Sequence, residues 1–256
     1  MSTIHPSAFI DPKARIGEGV TIGPYCIVGP DVQIGNGTLL KSHVVVTGPT
    51  TIGEENCFFP FCSIGEQSQD LKYEKEPTFL EIGHRNRFRE SCTVNRGTAP
   101  ESFTRIGSDN HFLAYSHVAH DCVVGNHVIF SNNGTLAGHV VVDDHAIIGG
   151  LTAIHQFCRI GRHSILGGCS KIVQDVPPFM IADGNPAVVR GINTVGLERR
   201  GFSKEAIRSL KEAYRIIYRT QLNTKQALCA LREMESLPDI ELLITFITES
   251  QRGIIR

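Results

Sequence analysis

Two histidines three residues apart, His117 and His120, sit in the stretch Tyr115-Ser-His-Val-Ala-His-Asp-Cys-Val-Val-Gly125, and Asp121 follows the second directly. A neutral imidazole titrates near pH ~6.5 and can take a proton from a hydroxyl at neutral pH. A carboxylate beside it fixes the tautomer or steadies the imidazolium. His-Asp neighbours arise often by chance, so their meaning depends on what positions them. Six of the eleven histidines lie between 117 and 155: His117, His120, His127, His139, His145 and His155.

What positions them is a repeat. Stepping by six from Ile10 to Ile172 gives 28 positions, of which 25 are Ile, Val, Leu or Phe; only Asp70, Glu76 and Pro100 break the series. Twelve of these anchors are followed by glycine, and small residues such as Ala14, Val20, Ser116 and Ala146 recur four places after the anchor. Chance does not produce such a series, and a period of six suits neither a helix nor an ordinary strand pair. It suits a triangular coil of three short strands with eighteen residues per turn. Anchors fill the interior, the small residue fits at the corner, and glycine is expected to supply backbone freedom for the turns. The 25 intact hexapeptides amount to about eight coils, and stacked strands ~4.8 Å apart make a prism about 40 Å long.

In such a prism, residues eighteen apart stack on adjacent coils. Gly138 then lies over His120, His139 lies over Asp121, and His155 and Gln156 come one coil further. A basic histidine beside a backbone N–H is what acyl transfer needs: a base for the attacking hydroxyl and a donor for the oxyanion. Two polar segments, Glu66 to Thr78 and about Arg96 to Thr104, interrupt the anchors while keeping the count of six. Loops of this kind leave a solenoid at one edge and are often functional. Asp70 and Lys72 are the residues there suited to holding a polar substrate.

The cysteines fit the lattice. Cys26, Cys62, Cys92, Cys122 and Cys158 stand at the small-residue position, and none of the eight forms a CxxC pair. Neither a disulfide framework nor a cysteine zinc site is indicated, and a reducing compartment is expected. The pattern decays after Ile172, and helices follow. Ser203 is placed to cap one carrying Ile207, Leu210, Tyr214 and Ile217. Thr224 is placed to cap a second with Ala227, Leu228 and Leu231, and Pro238 begins a third with Ile240, Leu243, Ile244 and Ile247. Residues 1–190 thus form a mainly β domain and residues 191–256 a small helical one, joined near Leu197-Glu-Arg-Arg-Gly-Phe-Ser203. A double arginine there is suited to phosphate or an acidic partner.

Net charge is −1 and 20% of the 256 residues are charged, which speaks against a nucleic-acid-binding surface. No stretch approaches the ~18 apolar residues of a membrane span, and Met1-Ser-Thr-Ile-His-Pro does not resemble a signal peptide. A cytoplasmic protein is expected.

Gln69-Asp-Leu-Lys-Tyr73, Ala119-His-Asp-Cys122, Leu136-Ala-Gly-His139, His155-Gln-Phe-Cys158, Val176-Pro-Pro178 and Gly196-Leu-Glu-Arg-Arg-Gly-Phe202 together resemble the UDP-N-acetylglucosamine O-acyltransferase family over the whole chain. The resemblance implies a left-handed parallel β-helix followed by a small C-terminal α-helical domain, assembled as a homotrimer. It implies transfer of a 3-hydroxyacyl chain from an acyl carrier protein thioester to the 3-hydroxyl of UDP-N-acetylglucosamine, at the start of lipid A synthesis, with no metal and no cofactor besides the thioester. His120 becomes the general base, Asp121 its charge partner and Gly138 the oxyanion donor. Asp70, Lys72, His117, His139 and Gln156 match positions that hold the sugar, diphosphate or acyl-bearing group, and His155 beside them is a further substrate-binding candidate. Asn193 and Arg200 match positions near the nucleotide, Arg199 of the double arginine is a further substrate-binding candidate, and Gly168 matches the place where side-chain size limits acyl length. Histidine at 117 goes with a hydroxyl rather than an amine acceptor. The chain departs from some members at Pro186 and Val195. Three other classes fit the lattice: a coenzyme A-dependent acetyltransferase, favoured by Gly184-Asn-Pro-Ala187; a related N-acyltransferase, which would carry an additional N-terminal domain; and a metal-binding carbonic-anhydrase-like prism or a scaffold without chemistry.

Overall fold

The computed structural model describes residues 2–256, and in it the lattice of anchors is the fold. From Thr3–Ile4 to Met180–Gly184, 27 short strands run parallel and stack into three sheets, making a left-handed parallel β-helix. Partners lie eighteen residues apart, as in Thr21 with Leu39 and Ile27 with Val45. At three strands per coil the 27 strands make nine coils, more than the anchor count implies, because one strand precedes Ile10 and another, Met180–Gly184, follows Ile172.

Both insertions are whole hexapeptides. Phe58 pairs with Phe88, thirty residues on, and Phe88 with Phe112, twenty-four on. The first loop therefore adds two hexapeptides to its coil and the second adds one, so every anchor still points inward. Phe58, Phe88, Phe112 and Phe130 stack inside the prism with ring centroids 4.8, 4.5 and 4.8 Å apart. Each is fully buried, which contributes about 1.5–3 kcal/mol per ring. The five cysteines at the small-residue position are buried, while Cys169 and Cys229 are exposed.

The corners differ from the expectation drawn from glycine. Of the twelve glycines that follow anchors, only Gly65 has positive φ. At Gly23 glycine is required for close approach instead: a Cβ there would lie 2.7 Å from the carbonyl oxygen of Lys41 on the next coil. The left-handed position is three places after the anchor, and eighteen non-glycine residues occupy it, among them Asp121, His139 and Phe157. Left-handed backbone costs roughly 1–2 kcal/mol per residue. Stacked coils offset it, since corner amides donate to the preceding coil, as His139 N–H does to the His120 carbonyl at 3.0 Å.

At the far end Met180–Gly184 turns into the antiparallel strand Ala187–Ile192, and Gly184-Asn-Pro-Ala187 is that hairpin's turn. A short helix follows, α1 (Thr194–Arg199), capped by Asn193, in the segment read from sequence as a joint. Next come α2 (Lys204–Tyr218), α3 (Thr224–Arg232) and α4 (Pro238–Glu249). Ser203 caps α2 as expected, accepting from the Ala206 N–H at 3.0 Å. The cap of α3 is Asn223 rather than Thr224, because Asn223 and Gln226 bond reciprocally in a capping box. Ile207, Leu210, Leu231, Ile240 and Leu243 bury the helices against one another and the prism end. No helix among the described residues is long and apolar enough to cross a membrane.

Candidate active site

One corner of the prism gathers the chemistry. The nine-stranded sheet contains His117–Val118, Thr135–Leu136 and Ala153–Ile154, and the turns that follow these strands carry His120-Asp121, Gly138-His139 and Gln156-Phe157. Both insertions leave the prism at the same corner, after Ser63–Glu66 and after Thr93–Asn95.

His120 is buried, and its Nδ1 lies 2.8 Å from Asp121 Oδ2. That contact leaves Nε2 free, and Nε2 stands 3.9 Å from Asp70 Oδ2 in the first loop. Burial pushes the Asp121 carboxyl up. The hydrogen-bonded His120 ring, the His139 charge and the Thr98 amide outweigh burial and hold it at about 2. Thr98 N–H donates to Asp121 Oδ2 at 3.1 Å, and Asp121 N–H donates to Thr104 Oγ1 at 2.8 Å. Asp121 is therefore a fixed anion placed against the His120 ring.

Gly138 lies against His120 as the eighteen-residue spacing predicts. A Cβ at Gly138 would overlap the His120 imidazole, so glycine is required there. Among the described residues nothing accepts from its N–H. His139 Nε2 is 3.7 Å from Asp121 Oδ2, and its ring meets His120 edge-on and stacks on Phe157 at 4.6 Å. Burial pushes His139 down, with the Asp121 charge opposing. His117 sits on the outward face with Nδ1 2.7 Å from Thr93 Oγ1, and burial and the neighbouring His120 push it down. His155 and Gln156 are exposed one coil beyond Gly138 and His139. Lys72 is exposed beside Asp70, whose Oδ1 accepts from the Lys72 N–H at 2.9 Å.

The remaining candidates lie elsewhere on the chain. His127 and His145 occupy a different corner, where they stack with His163 at 4.8 and 4.7 Å, so the six histidines are not one cluster. Gly168 follows Ile165–Leu166 of the eleven-stranded sheet and so lies on a third edge. Asn193 is buried and committed: Nδ2 donates to the His163 carbonyl at 2.9 Å and Oδ1 accepts from Gly196 N–H at 3.0 Å. Arg199, Arg200 and Val195 are exposed on or next to α1. Asp70 and His120, fifty residues apart in sequence, meet within one chain because the loop folds back. The contact of the Thr98 backbone N–H with Asp121 is not legible in the sequence, since the second insertion carries no period to place it.

Donor atoms of His120, Asp121 and His139 lie within 4.8 Å of one another and could hold a metal ion. Using His120 Nδ1 that way would break its bond to Asp121. As arranged, the group is suited to proton transfer: an oriented imidazole, an uncommitted N–H beside it, and a carboxylate across the cleft.

Comparison with known proteins agrees. A family model described as "Udp N-acetylglucosamine O-acyltransferase; Domain 2" matches residues 175–255, and a bacterial transferase hexapeptide model matches residues 1–35, 13–48 and 103–138. The acyl-[acyl-carrier-protein]–UDP-N-acetylglucosamine O-acyltransferase of Verminephrobacter eiseniae is 52% identical over the full length of both chains. LpxA from Acinetobacter baumannii superposes with a TM-score of 0.96 at 50% identity, covering 99% of each chain. The UDP-N-acetylglucosamine O-acyltransferase of Moraxella catarrhalis gives 0.95 at 48%, also over 99% of each. With its prism and its helical end matched along the full chain, the chain belongs to the UDP-N-acetylglucosamine O-acyltransferase family.

Proposed function

We propose that the protein transfers a 3-hydroxyacyl chain from an acyl carrier protein thioester to the 3-hydroxyl of UDP-N-acetylglucosamine, opening lipid A synthesis in the cytoplasm. The observation that carries this reading is His120: oriented by Asp121, packed on Gly138, with Nε2 facing Asp70. His120 Nε2 takes the proton of the sugar hydroxyl as its oxygen attacks the thioester carbonyl. The Gly138 N–H donates to the oxyanion. Collapse expels the carrier thiolate, and the imidazolium returns the proton to it. Asp70 and Lys72 hold the sugar, and His117, His139, His155 and Gln156 line the path of the diphosphate and acyl-bearing group. The reaction requires no cofactor beyond the thioester.

A homotrimer completes the site. Leu71, beside Asp70, is fully exposed, and Phe9, Ile27 and Tyr115 leave large apolar surface on the outside of a single prism. Gly168 and the arginines of the α1 region lie on edges remote from His120, so a cleft between prisms is where all would meet. In that cleft Gly168 sets acyl length, and Arg199, Arg200 and the Asn193-capped turn lie toward the nucleotide. The test is incubation with UDP-N-acetylglucosamine and a panel of 3-hydroxyacyl carrier proteins, with products read by mass. One acyl ester, cleaved by mild alkali, is expected. Reaction of the 3-amino analogue alone, giving an alkali-stable amide, contradicts the hydroxyl acceptor, and no product with either contradicts the function.

A further inference from the structure

The two insertions differ in sequence and leave different coils, yet their contacts include a buried pair of hydroxyls. Ser68 Oγ and Thr98 Oγ1 are 2.6 Å apart, with Ser68 6% and Thr98 8% exposed. On one side, Ser68 Oγ accepts from the Asp70 N–H at 3.1 Å. On the other, the Thr98 N–H donates to Asp121, which holds His120. A continuous path thus joins Asp70 to His120 behind the cleft: Asp70, Ser68, Thr98, Asp121, His120. Asp70 and His120 face each other across the open side at 3.9 Å.

A separate device secures the base of the first loop. The Arg96 guanidinium is buried and donates to the Gly48 and Gly65 carbonyls at 2.7 and 2.6 Å and to the Tyr73 hydroxyl at 3.5 Å. The Asn95 Nδ2 donates to the Gln67 carbonyl at 2.9 Å. With the base held in this way, the hydroxyl pair is not needed to keep the loop attached. What it adds is the lateral position of Asp70 relative to the imidazole.

We propose that Ser68 and Thr98 are positioning residues for the acceptor sugar: their hydroxyl contact sets where Asp70 stands against His120, and neither touches substrate. The inference rests on the acyl-transfer reading above. Misplacing a holding group by about an ångström costs up to ~100-fold, and partial relaxation costs less. Thr98→Val removes the hydroxyl while keeping the shape and the backbone N–H to Asp121, so the base stays oriented while the loop loses its stop.

The experiment measures kcat and both KM values for T98V, S68A, the double variant and T98S, with thermal melting as a control on folding. In T98V the KM for UDP-N-acetylglucosamine is expected to rise about tenfold, while kcat and the KM for the acyl carrier protein stay within about twofold. S68A should raise it at least as much, because it also removes the acceptor of the Asp70 N–H, and the double variant should match S68A, since T98V then has no contact left to cut. T98S should restore the acceptor KM. An acceptor KM unchanged in T98V or in S68A, additive effects in the double variant, or equal rises in both KM values would overturn the strut while leaving the function standing. If T98V fails to fold, the acceptor KM of S68A decides in its place. An unaltered protein that does not acylate UDP-N-acetylglucosamine overturns the functional reading and this inference with it.

Discussion

Asp121 owes its role to its surroundings. Burial alone would push it up, but the His120 ring and the neighbouring donors hold it at about 2, below the ordinary carboxylate value. Its contribution to stability is therefore present above about pH 4 and lost as pH falls through about 2. Between pH 5 and 8 it is always ionised, so any acid limb of activity in that range belongs to another group. Asp121→Asn should leave the fold intact at neutral pH and lower kcat about 100-fold or more, because an amide no longer selects the tautomer with Nε2 free. Steady-state kinetics at pH 7 checks this, and parent-like kcat would contradict it. Gly138→Ala tests the other side of the same ring. The alanine keeps the N–H, but its methyl must displace the imidazole, and misplacing a reacting group by about an ångström costs about 100-fold in kcat. Single-turnover acyl transfer by the folded variant is the measurement.

Among the elements, the corner stack of His127, His145 and His163 ends under Phe179 and Phe202 at the start of the helical domain. Burial, with the charges of His145, Arg200 and Arg162 adding to it, pushes His163 down to about 4, and Asp144 opposes weakly. The unfolded chain then binds a proton that the folded chain refuses between about pH 6.5 and 4. Stability should fall across that window as pH drops, by about 3 kcal/mol at most. His163→Phe, which keeps the stacking ring, should flatten this part of the melting-temperature profile; an unchanged slope would contradict it. The same elements show what sequence makes legible. Anchors from Ile10 to Ile172 announce the coil, and eighteen-residue stacking places Gly138 on His120 without a structure. The loops do not obey the period, so the approach of Asp70 to His120 and the Ser68–Thr98 contact are invisible in it. Glycine misleads, because eighteen other residues take the left-handed corner while glycine answers to close approach at sites such as Gly23. Asn223 and Thr224 are both good caps, and only the reciprocal bond with Gln226 decides between them.

At the scale of the molecule, one prism brings His120, Gly138 and the Asp70 loop to a single corner, while Gly168 and Arg200 lie on other edges. Sedimentation across a dilution series should therefore show a trimer, with activity falling as it dissociates; full activity in a monomer would contradict the shared cleft. The Asp121 carboxylate, the Gly138 amide and the Asp70 loop all converge on the His120 imidazole, the group proposed to move the proton. The most direct measurement is turnover of His120→Ala with UDP-N-acetylglucosamine and acyl carrier protein thioester, on protein whose sedimentation and melting match the parent. A fall of about 100-fold or more, the scale of a lost general base, is predicted; turnover near that of the parent would contradict the assignment of His120 as the base.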